Sequence, residues 1–432
     1  MSRRVANTTL TNLAMQGCAA VTGVILARLL GVNGRGDLAA AIVWPTMIAG
    51  TAILGTDVAF ARFAAAGQGR LRQIFHAMAI VTIAMSTPAM IIGYYLLPLL
   101  LPDTKAYLLP IARLLLLTVP FGFAAVLCVN VALGIGKHFY FNSIRLSFNV
   151  AYLAGIVAVA ALTQPTVLST AICFLAASFI TASYGLLAMH GQMVTRDGPA
   201  LHAKEIVSSA AAFGFVTVGQ ALIINLPVAL LTVTVGSSDV GYFVVAMSAS
   251  GAHTILGSAI GKILFAKVSR GPDTRIWIGP IFRQALLLYA LLAVTLACVL
   301  PYLIPMIFGI HFWYSGQLAM GLVISTSLTN LSSVLEEALR AKGWARPIIL
   351  GQLVGAACLF ALAAVLLPQL GLPAMIWACI YGAAMQFIVI VLAVSQRLGL
   401  PWRDLVAVRT DDMRALVLRM RSILPRSRGD RW

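Results

Sequence analysis

The sequence predicts an all-α polytopic membrane protein, with about twelve transmembrane helices in two pseudo-symmetric six-helix lobes around a central cavity. Three observations lead to this fold class: the composition, the spacing of the apolar runs and an internal repeat. Of the 432 residues, 60% are hydrophobic and only 10% are charged, and the mean hydropathy is +0.95. A soluble domain carries roughly 25% charged residues, so lipid is the solvent that matches this chain.

Twelve apolar runs are long enough to cross a bilayer, which takes about 20 helical residues for about 30 Å of hydrocarbon. They cover residues 10–30, 38–63, 75–97, 109–133, 143–163, 168–188, 207–235, 241–266, 281–300, 317–339, 347–367 and 372–395. The runs that exceed 20 residues require tilted or kinked helices. Pro45, Pro120 and Pro227 fall inside spans, where neighbouring helices or a water-filled cavity can satisfy the freed carbonyls.

The basic residues lie mainly in alternate loops and in the C-terminal tail. The opposite loops hold little beyond Arg35 and Lys105, each with an aspartate close by, Asp37 and Asp103. The positive-inside rule then places both termini in the cytoplasm of a bacterial inner-membrane protein. The same distribution argues that the net charge of +17 serves membrane orientation and not a nucleic-acid partner.

The chain repeats itself at an offset of 205 residues. This offset aligns Gly31 with Gly236 and Gly36 with Gly241. Six spans per half give both halves the same orientation, so the lobes should be related by an axis along the membrane normal. The expected organisation is an N-terminal lobe (1–188), a cytoplasmic linker (189–206), a C-terminal lobe (207–396) and a basic tail (397–432). The tail is either an amphipathic helix on anionic headgroups or a charged segment that fixes orientation.

Ionisable side chains inside spans are the first functional candidates, because lipid makes them costly. The substrate-binding candidates and a possible proton relay are, in order, Arg28, Asp57, Arg62, Arg113, Lys262 and, for the relay, His253. The 205-residue offset places Asp57 of span 2 opposite Lys262 of span 8. We therefore expect a charged belt across the cytoplasmic half of the cleft, with an excess of positive charge that suits a phosphate-bearing substrate.

Several of these residues have a second interpretation. Arg62 and its repeat partner Lys267 either join the belt or extend to the cytoplasmic headgroups. Arg113 could reach the outer interface or the cleft. Glu336 and Arg340 have the i,i+4 spacing of a local ion pair on a helix.

Two further alternatives concern the outer turn and the middle of span 8. Arg28 precedes the turn 31–37 and either binds substrate or pairs with Asp37 or with carbonyls of that turn. His253 lies near mid-membrane, where an imidazole either relays protons or stays neutral and buried.

The sequence offers no catalytic or cofactor signature. The external loops are short and carry no paired carboxylates, no Ser-His-Asp set, no metal-ligand cluster and no GxxxxGK[ST]. All six cysteines fall inside apolar runs without CxxC spacing, which argues against disulfides and metal sites. We expect a transporter that is not an enzyme and uses no cofactor.

Several short segments resemble a known family. They are Leu26–Gly31 followed by Gly34-Arg35-Gly36, Leu54–Asp57 with Arg62 and Phe63, Leu133–Lys137 through Asn142 and Arg145, Ile307–Gly309, and Ala338–Gly343. Together they resemble the polysaccharide and O-antigen flippases of the multidrug/oligosaccharidyl-lipid/polysaccharide exporter superfamily. The chain departs from many relatives at 225–229, where Asn-Leu-Pro-Val-Ala stands in place of a charged pair in span 7.

The resemblance implies alternating access and translocation of a polyprenyl-diphosphate-linked oligosaccharide for surface or exopolysaccharide synthesis. Spans 1, 2, 7 and 8 would line the cavity, membrane lipids would surround the lobes, and a polysaccharide polymerase and glycosyltransferases would be pathway partners. A cation-coupled multidrug antiporter of the same superfamily is the alternative, although it would favour acidic groups in the cavity. A membrane-embedded glycan polymerase or ligase would need a long external loop bearing Arg or His, and none is present.

Overall fold

The computed structural model describes residues 3–66, 71–191, 203–270 and 275–407, and within these ranges it contains helices and no strand. The helices are α1 (Arg3–Ala52), α2 (Thr56–Ala65), α3 (Leu71–Leu100), α4 (Leu109–Leu115), α5 (Thr118–Gly134), α6 (His138–Leu162), α7 (Val167–His190), α8 (Ala203–Thr234), α9 (Ser237–Ser250), α10 (Thr254–Arg270), α11 (Arg275–Phe308), α12 (Trp313–Ala341), α13 (Ala345–Leu370), α14 (Leu372–Leu398) and α15 (Trp402–Val406). Short 3₁₀ turns at 103–108, 251–253 and 310–312 connect some of them.

Ten helical stretches in the described chain are long and apolar enough to cross a membrane, and a bent pair makes an eleventh. The bent pair joins Asp103–Leu115 to Thr118–Gly134 at an angle of 44°. The first stretch, Asn7–Ala52, has 46 residues, about twice what one crossing needs. It therefore holds two spans if the chain turns within it.

The chain does turn at Gly31, whose φ of 66° and ψ of −171° are not helical. Asn142 at the start of α6 donates a hydrogen bond to Thr8 at 3.3 Å, and Gly134 at the end of α5 packs against Ala61 of α2. Because the short turn between α5 and α6 touches both ends of the α1–α2 segment, these ends lie together and the chain reverses at Gly31. The predicted all-α fold with about twelve spans is confirmed.

The internal repeat is visible in the helix boundaries. α7 begins at Val167 and α14 at Leu372, which are 205 positions apart. The turn at Gly31 has its counterpart at Gly236, which precedes α9. Likewise α3 corresponds to α11 and α6 to α13, so the two halves follow the same order of spans.

Three of the predicted spans that exceed 20 residues are broken or bent. Span 2 is interrupted between α1 and α2, where Leu54 and Gly55 adopt φ of 45° and 77°. Span 4 bends by 44° between α4 and α5. A 3₁₀ turn at 251–253 interrupts span 8 between α9 and α10. The apolar length of a span predicts that the helix tilts or kinks, but it carries no information on backbone dihedrals, so the positions of these breaks were not predicted. The centre of the predicted linker (192–202) and the tail beyond 407 lie outside the described residues.

The spans run between two ends of the bundle. We call the end with the N-terminus and the turns 135–137 and 342–344 the basic end, and the end with Gly31, residues 102–108 and Gly309 the far end. α1 packs extensively on α9. The largest hydrophobic core contains residues of both halves, among them Trp44 and Phe243.

The helix that follows Gly31 crosses α9 in backbone contact at the far end. A Cβ on Gly36 would stand 1.7 Å from the carbonyl oxygen of Ser237, and one on Gly241 would stand 2.1 Å from that of Val32. Gly36 and Gly241 are repeat partners, and so are Val32 and Ser237. The contact is therefore reciprocal and lies on the pseudo-two-fold axis.

Candidate functional site

A cavity of about 330 Å³ lies between the two halves. Its walls come from α1, α6 and α7 of the first half and from α8 and α9 of the second. The larger polar side chains on these walls are Arg35, Asn149, Tyr152 and Asn225, and the described residues of the lining include no carboxylate. The cavity is thus positively charged and rich in hydrogen-bonding groups.

Arg35 reaches this cavity because α1 resumes as a helix directly after Gly31. Arg35, Ala39, Ile42 and Thr46 recur at helical spacing and all line the wall. The Nε of Arg35 is buried without a hydrogen-bond partner in the described part of the protein, and so is the hydroxyl of Tyr152. Unpartnered buried polar groups are costly, so these two atoms are available to bind water or a polar ligand.

A second cavity, of about 470 Å³, lies inside the first half and adjoins the first. The two share the lining residues Thr46, Phe148, Asn149 and Phe174. Arg145 lines the second cavity and stacks over the Phe141 ring, with its guanidinium carbon 4.9 Å from the ring centroid.

The two arginines stand at different depths of the bundle. Arg145 and Tyr152 are seven residues apart on α6, which separates them by roughly 10 Å along the helix axis. Arg35 lies beside Tyr152 on the wall of the first cavity, nearer the far end. The adjoining cavities therefore offer a guanidinium at each of two successive levels.

The second half has a corresponding cavity of about 280 Å³, and its described lining residues carry no charge. Gly251, Cys379 and Gln386 line it at the repeat positions of Thr46, Phe174 and Thr181 in the first half. Arg145 has an apolar repeat partner, Leu350. The positive charge of the cavities thus belongs to the N-terminal half.

The structure does not join Asp57 and Lys262 in an ion pair. Asp57 lies in the first turn of α2, and its buried Oδ1 has no partner in the described chain, whereas Lys262 is exposed on α10. α2 and α10 make marginal contact at most. Arg62 is exposed on α2, and none of these three residues lines the cavities described above. The charged belt stays a hypothesis.

Arg28 bonds to neither of the partners in its own turn that the sequence suggested. Its Nε donates to the carbonyl of Ile307 at 2.8 Å, across to the second half. Asp37 instead accepts a hydrogen bond from the Tyr107 hydroxyl at 2.7 Å. The segment after Gly31 is helical and not an extended turn, so its carbonyls are already used within α1.

Arg113 and His253 lie away from the central cavity. Arg113 stacks on Tyr94, with its guanidinium carbon 4.1 Å from the ring centroid. The ring of His253 is buried in the second half, with Nε2 3.1 Å from the Ser327 hydroxyl and Nδ1 unpartnered among the described residues. The Tyr289 hydroxyl donates to the carbonyl of His253 at 3.4 Å. His253 therefore belongs to the interior of its lobe.

The charged side chains at the ends of α12 and α10 lie at the basic end. Arg340 lies 3.7 Å from Glu336 and 3.2 Å from Glu337, so the expected ion pair is present. Lys267 lies over the Trp277 ring, 3.8 Å from its centroid.

Sequence reasoning missed Arg35, Arg145 and Lys105 as functional candidates. From the sequence, Arg35 and Lys105 are loop charges, and Arg145 is included only in a segment that resembles a known family. Extending the helical spacing of span 2 backwards through Ala39 would have placed Arg35 on the cavity wall. No comparable signal marks Lys105, whose partners lie more than 120 residues away.

No protein-family model matches the chain, and no curated protein matches its sequence. Solved structures match its fold over nearly the whole length. The chain is similar to the lipid II flippase MurJ in an inward closed conformation, at 12% identity and a TM-score of 0.73, covering 98% of this chain and 94% of that one. It is also similar to an inward-facing multidrug resistance MATE family transporter of the MOP superfamily, at 13% identity and a TM-score of 0.66, covering 91% and 94%.

A third similar structure is a ligand complex of the MATE multidrug transporter DinF-BH, at 16% identity and a TM-score of 0.65, covering 93% and 95%. Identities this low show the fold alone. The chain thus has the fold of MOP-superfamily transporters and is a multi-pass membrane protein.

Proposed function

We propose that this protein is a bacterial inner-membrane transporter that moves a polyprenyl-diphosphate-linked oligosaccharide across the bilayer by alternating access. The glycan and the diphosphate pass through the central cavity, and the prenyl tail stays in lipid. Surface or exopolysaccharide synthesis consumes the product, and the polymerase and glycosyltransferases of that pathway are the expected partners.

The observation that carries the proposal is the charge of the adjoining cavities. Arg35 and Arg145 line them, and no carboxylate of the described chain does. A guanidinium binds phosphate oxygens through paired N–H donors, more specifically than an ammonium does. Asn149 and Asn225 add amide groups of the kind that bind sugar hydroxyls.

The packing of the halves supports a side entry for the tail. At the basic end α2 packs on α8, and Gly50 of α1, just before the break, faces Ala221 of α8. The repeat partners of this pair, α10 and the first part of α1, make few contacts. We place the basic end in the cytoplasm from the loop charges. A lipid tail would then enter from the cytoplasmic leaflet between α1 and α10.

The multidrug antiporter is the weaker candidate. A cavity that binds cationic drugs favours carboxylates, because opposite charges compensate the loss of water. Glu336 is a buried carboxylate beside the second-half cavity, and it accepts a hydrogen bond from Gln386 at 3.0 Å and pairs with Arg340. Its charge is already compensated, and it does not line the cavity.

The test measures thermal stabilisation of the purified protein by undecaprenyl diphosphate, with undecaprenol as the uncharged probe. We expect the diphosphate to stabilise the wild type, and Arg35→Ala and Arg145→Ala each to weaken its binding by roughly 10- to 100-fold, the usual range for one charge-assisted bond. Arg113→Ala is the matched control, because Arg113 stacks on Tyr94 outside the cavities.

A cellular assay completes the test. Cells with Arg35→Ala should accumulate lipid-linked intermediates in the cytoplasmic leaflet and lose surface polymer. Equal stabilisation by both probes, or tighter binding of a cationic rhodamine dye than of the diphosphate, would replace the flippase with the antiporter.

A further inference from the structure

A lysine of the first half is buried against the end of a helix of the second half. Lys105 follows α3 at the far end and is 2% exposed. Its Nζ donates to the carbonyls of Thr232 and Val235, at 2.8 Å each. These carbonyls stand at the C-terminus of α8, where the last backbone oxygens of a helix lack partners and carry partial negative charge. The lysine thus satisfies both oxygens and complements the helix dipole.

An arginine makes the equivalent contact on the other side of the pseudo-two-fold axis. Arg28, near the end of the first span, donates from Nε to the carbonyl of Ile307 at 2.8 Å and from Nη2 to that of Met306 at 3.3 Å. Both carbonyls belong to the last turn of α11. Here too a cation of the first half caps the C-terminus of a helix of the second half.

The repeat relates the two contacts. Ile307 is the repeat partner of Pro102 in the segment that carries Lys105, and Arg28 is the partner of Val233, between the two carbonyls that Lys105 binds. Each contact therefore joins the end of the first span of one half to the other half, either at the end of its third span or just after that span. The Gly36–Gly241 crossing lies between them on the axis.

We propose that Lys105 and Arg28 form a pair of latches that hold the far end closed and set the balance between the two access states. Opening the far end moves the halves apart, so both cations must leave the carbonyls that they cap. Neither residue needs to touch substrate to act. This inference rests on alternating access but on no particular substrate.

The two latches differ in strength. Lys105 is almost fully buried, so its bonds form where water does not compete. Arg28 is exposed beside an outer pocket of about 690 Å³, and water can replace its carbonyl partners cheaply. Burial disfavours the charge of Lys105, and Asp37 and Asp239, one from each half, lie close enough to offset part of that cost. Removing Lys105 should therefore shift the balance more than removing Arg28.

The experiment measures distances between spin labels in the purified, substrate-free protein with its native cysteines replaced. Labels at Leu99 and Tyr302, both 81% exposed, report the far end, and labels at Phe139 and Trp402, 74% and 52% exposed, report the basic end. Lys105→Met keeps the apolar stem and removes the donors. We expect it to raise the ratio of open to closed far ends by at least about tenfold, with a smaller increase for Arg28→Met.

Lys105→Arg is the matched control, since it keeps the charge and the donors and should leave the far end closed. Unchanged distances in a folded Lys105→Met protein, or an effect of Arg28→Met larger than that of Lys105→Met, would overturn the inference. Because the measurement contains no substrate, this outcome is independent of whether the flippase proposal holds.

Discussion

The backbone contact between the two halves makes a sharp prediction for Gly36→Ala. The new Cβ would stand 1.7 Å from the carbonyl oxygen of Ser237, and because that oxygen belongs to the backbone it cannot rotate away. Ordinary contact needs about 3.4 Å, so the second part of α1 and α9 must separate by roughly 1.7 Å. We expect the closed state of the far end to lose stability.

The size of the effect follows from packing. A gap of about 0.5–1 Å already forfeits a quarter to a half of a dispersion contact, and each contact contributes about 0.1–0.2 kcal/mol. Losing the equivalent of roughly twenty such contacts costs about 3 kcal/mol, at the upper end of what overpacking usually costs. A drop of about 5 °C in the apparent melting temperature of the purified protein is the expected result.

Gly17→Ala is the matched control, because a Cβ there meets nothing in the described chain within 4 Å. This variant should melt at the wild-type temperature or slightly above, since alanine favours the helix. The double variant Gly36→Ala/Gly241→Ala should lose less than the sum of the single variants, because one separation relieves both clashes. If Gly36→Ala has the same melting temperature as Gly17→Ala, the reasoning about the crossing is refuted.

Substitutions at three other positions test the described contacts by the same melting measurement. Glu336→Ala leaves the Gln386 amide without its acceptor and should cost about 2 kcal/mol, whereas Glu336→Gln keeps an acceptor and should cost less; equal losses would contradict the contact. Thr166→Ala removes the reciprocal cap with Ser169 at the start of α7 and should lower the free energy of unfolding by about 1 kcal/mol. Thr166→Ser keeps the capping hydroxyl and should retain the wild-type stability. Tyr289→Phe loses a long 3.4 Å bond and should change stability by less than about 1 kcal/mol.

The fold followed from the sequence because it depends on apolar length and repetition. Hydropathy and glycine spacing predict the spans, the reversal near Gly31 and the 205-residue repeat. The positions of the breaks at Leu54–Gly55 and Gly251–His253 could not be predicted from the sequence, because the packing of neighbouring helices determines the backbone dihedrals there.

The residues of the cavities did not follow from the sequence, and the predicted charged belt stays a prediction. That belt includes Asp57, Lys262 and Arg62, whereas Arg35 and Arg145 line the described cavities. Repeat alignment reports which positions are equivalent, but it does not report which side of each helix faces the centre. Lys105 was beyond reach for another reason, because its carbonyl partners can be identified only after the two halves are assembled.

The reciprocal contact of Gly36 and Gly241 has an evolutionary consequence. A six-helix ancestor that paired as a symmetric dimer through a single glycine would make this contact twice, so one substitution would have strengthened or weakened the interface at two places. Duplication and fusion would end that constraint. Each copy could then vary alone, and this chain now keeps Arg28, Lys105, Arg35 and Arg145 in one half while their repeat partners Val233, Ile310, Val240 and Leu350 are uncharged. The crossing is thus shared equally by the two halves, whereas these four charged side chains belong to one of them.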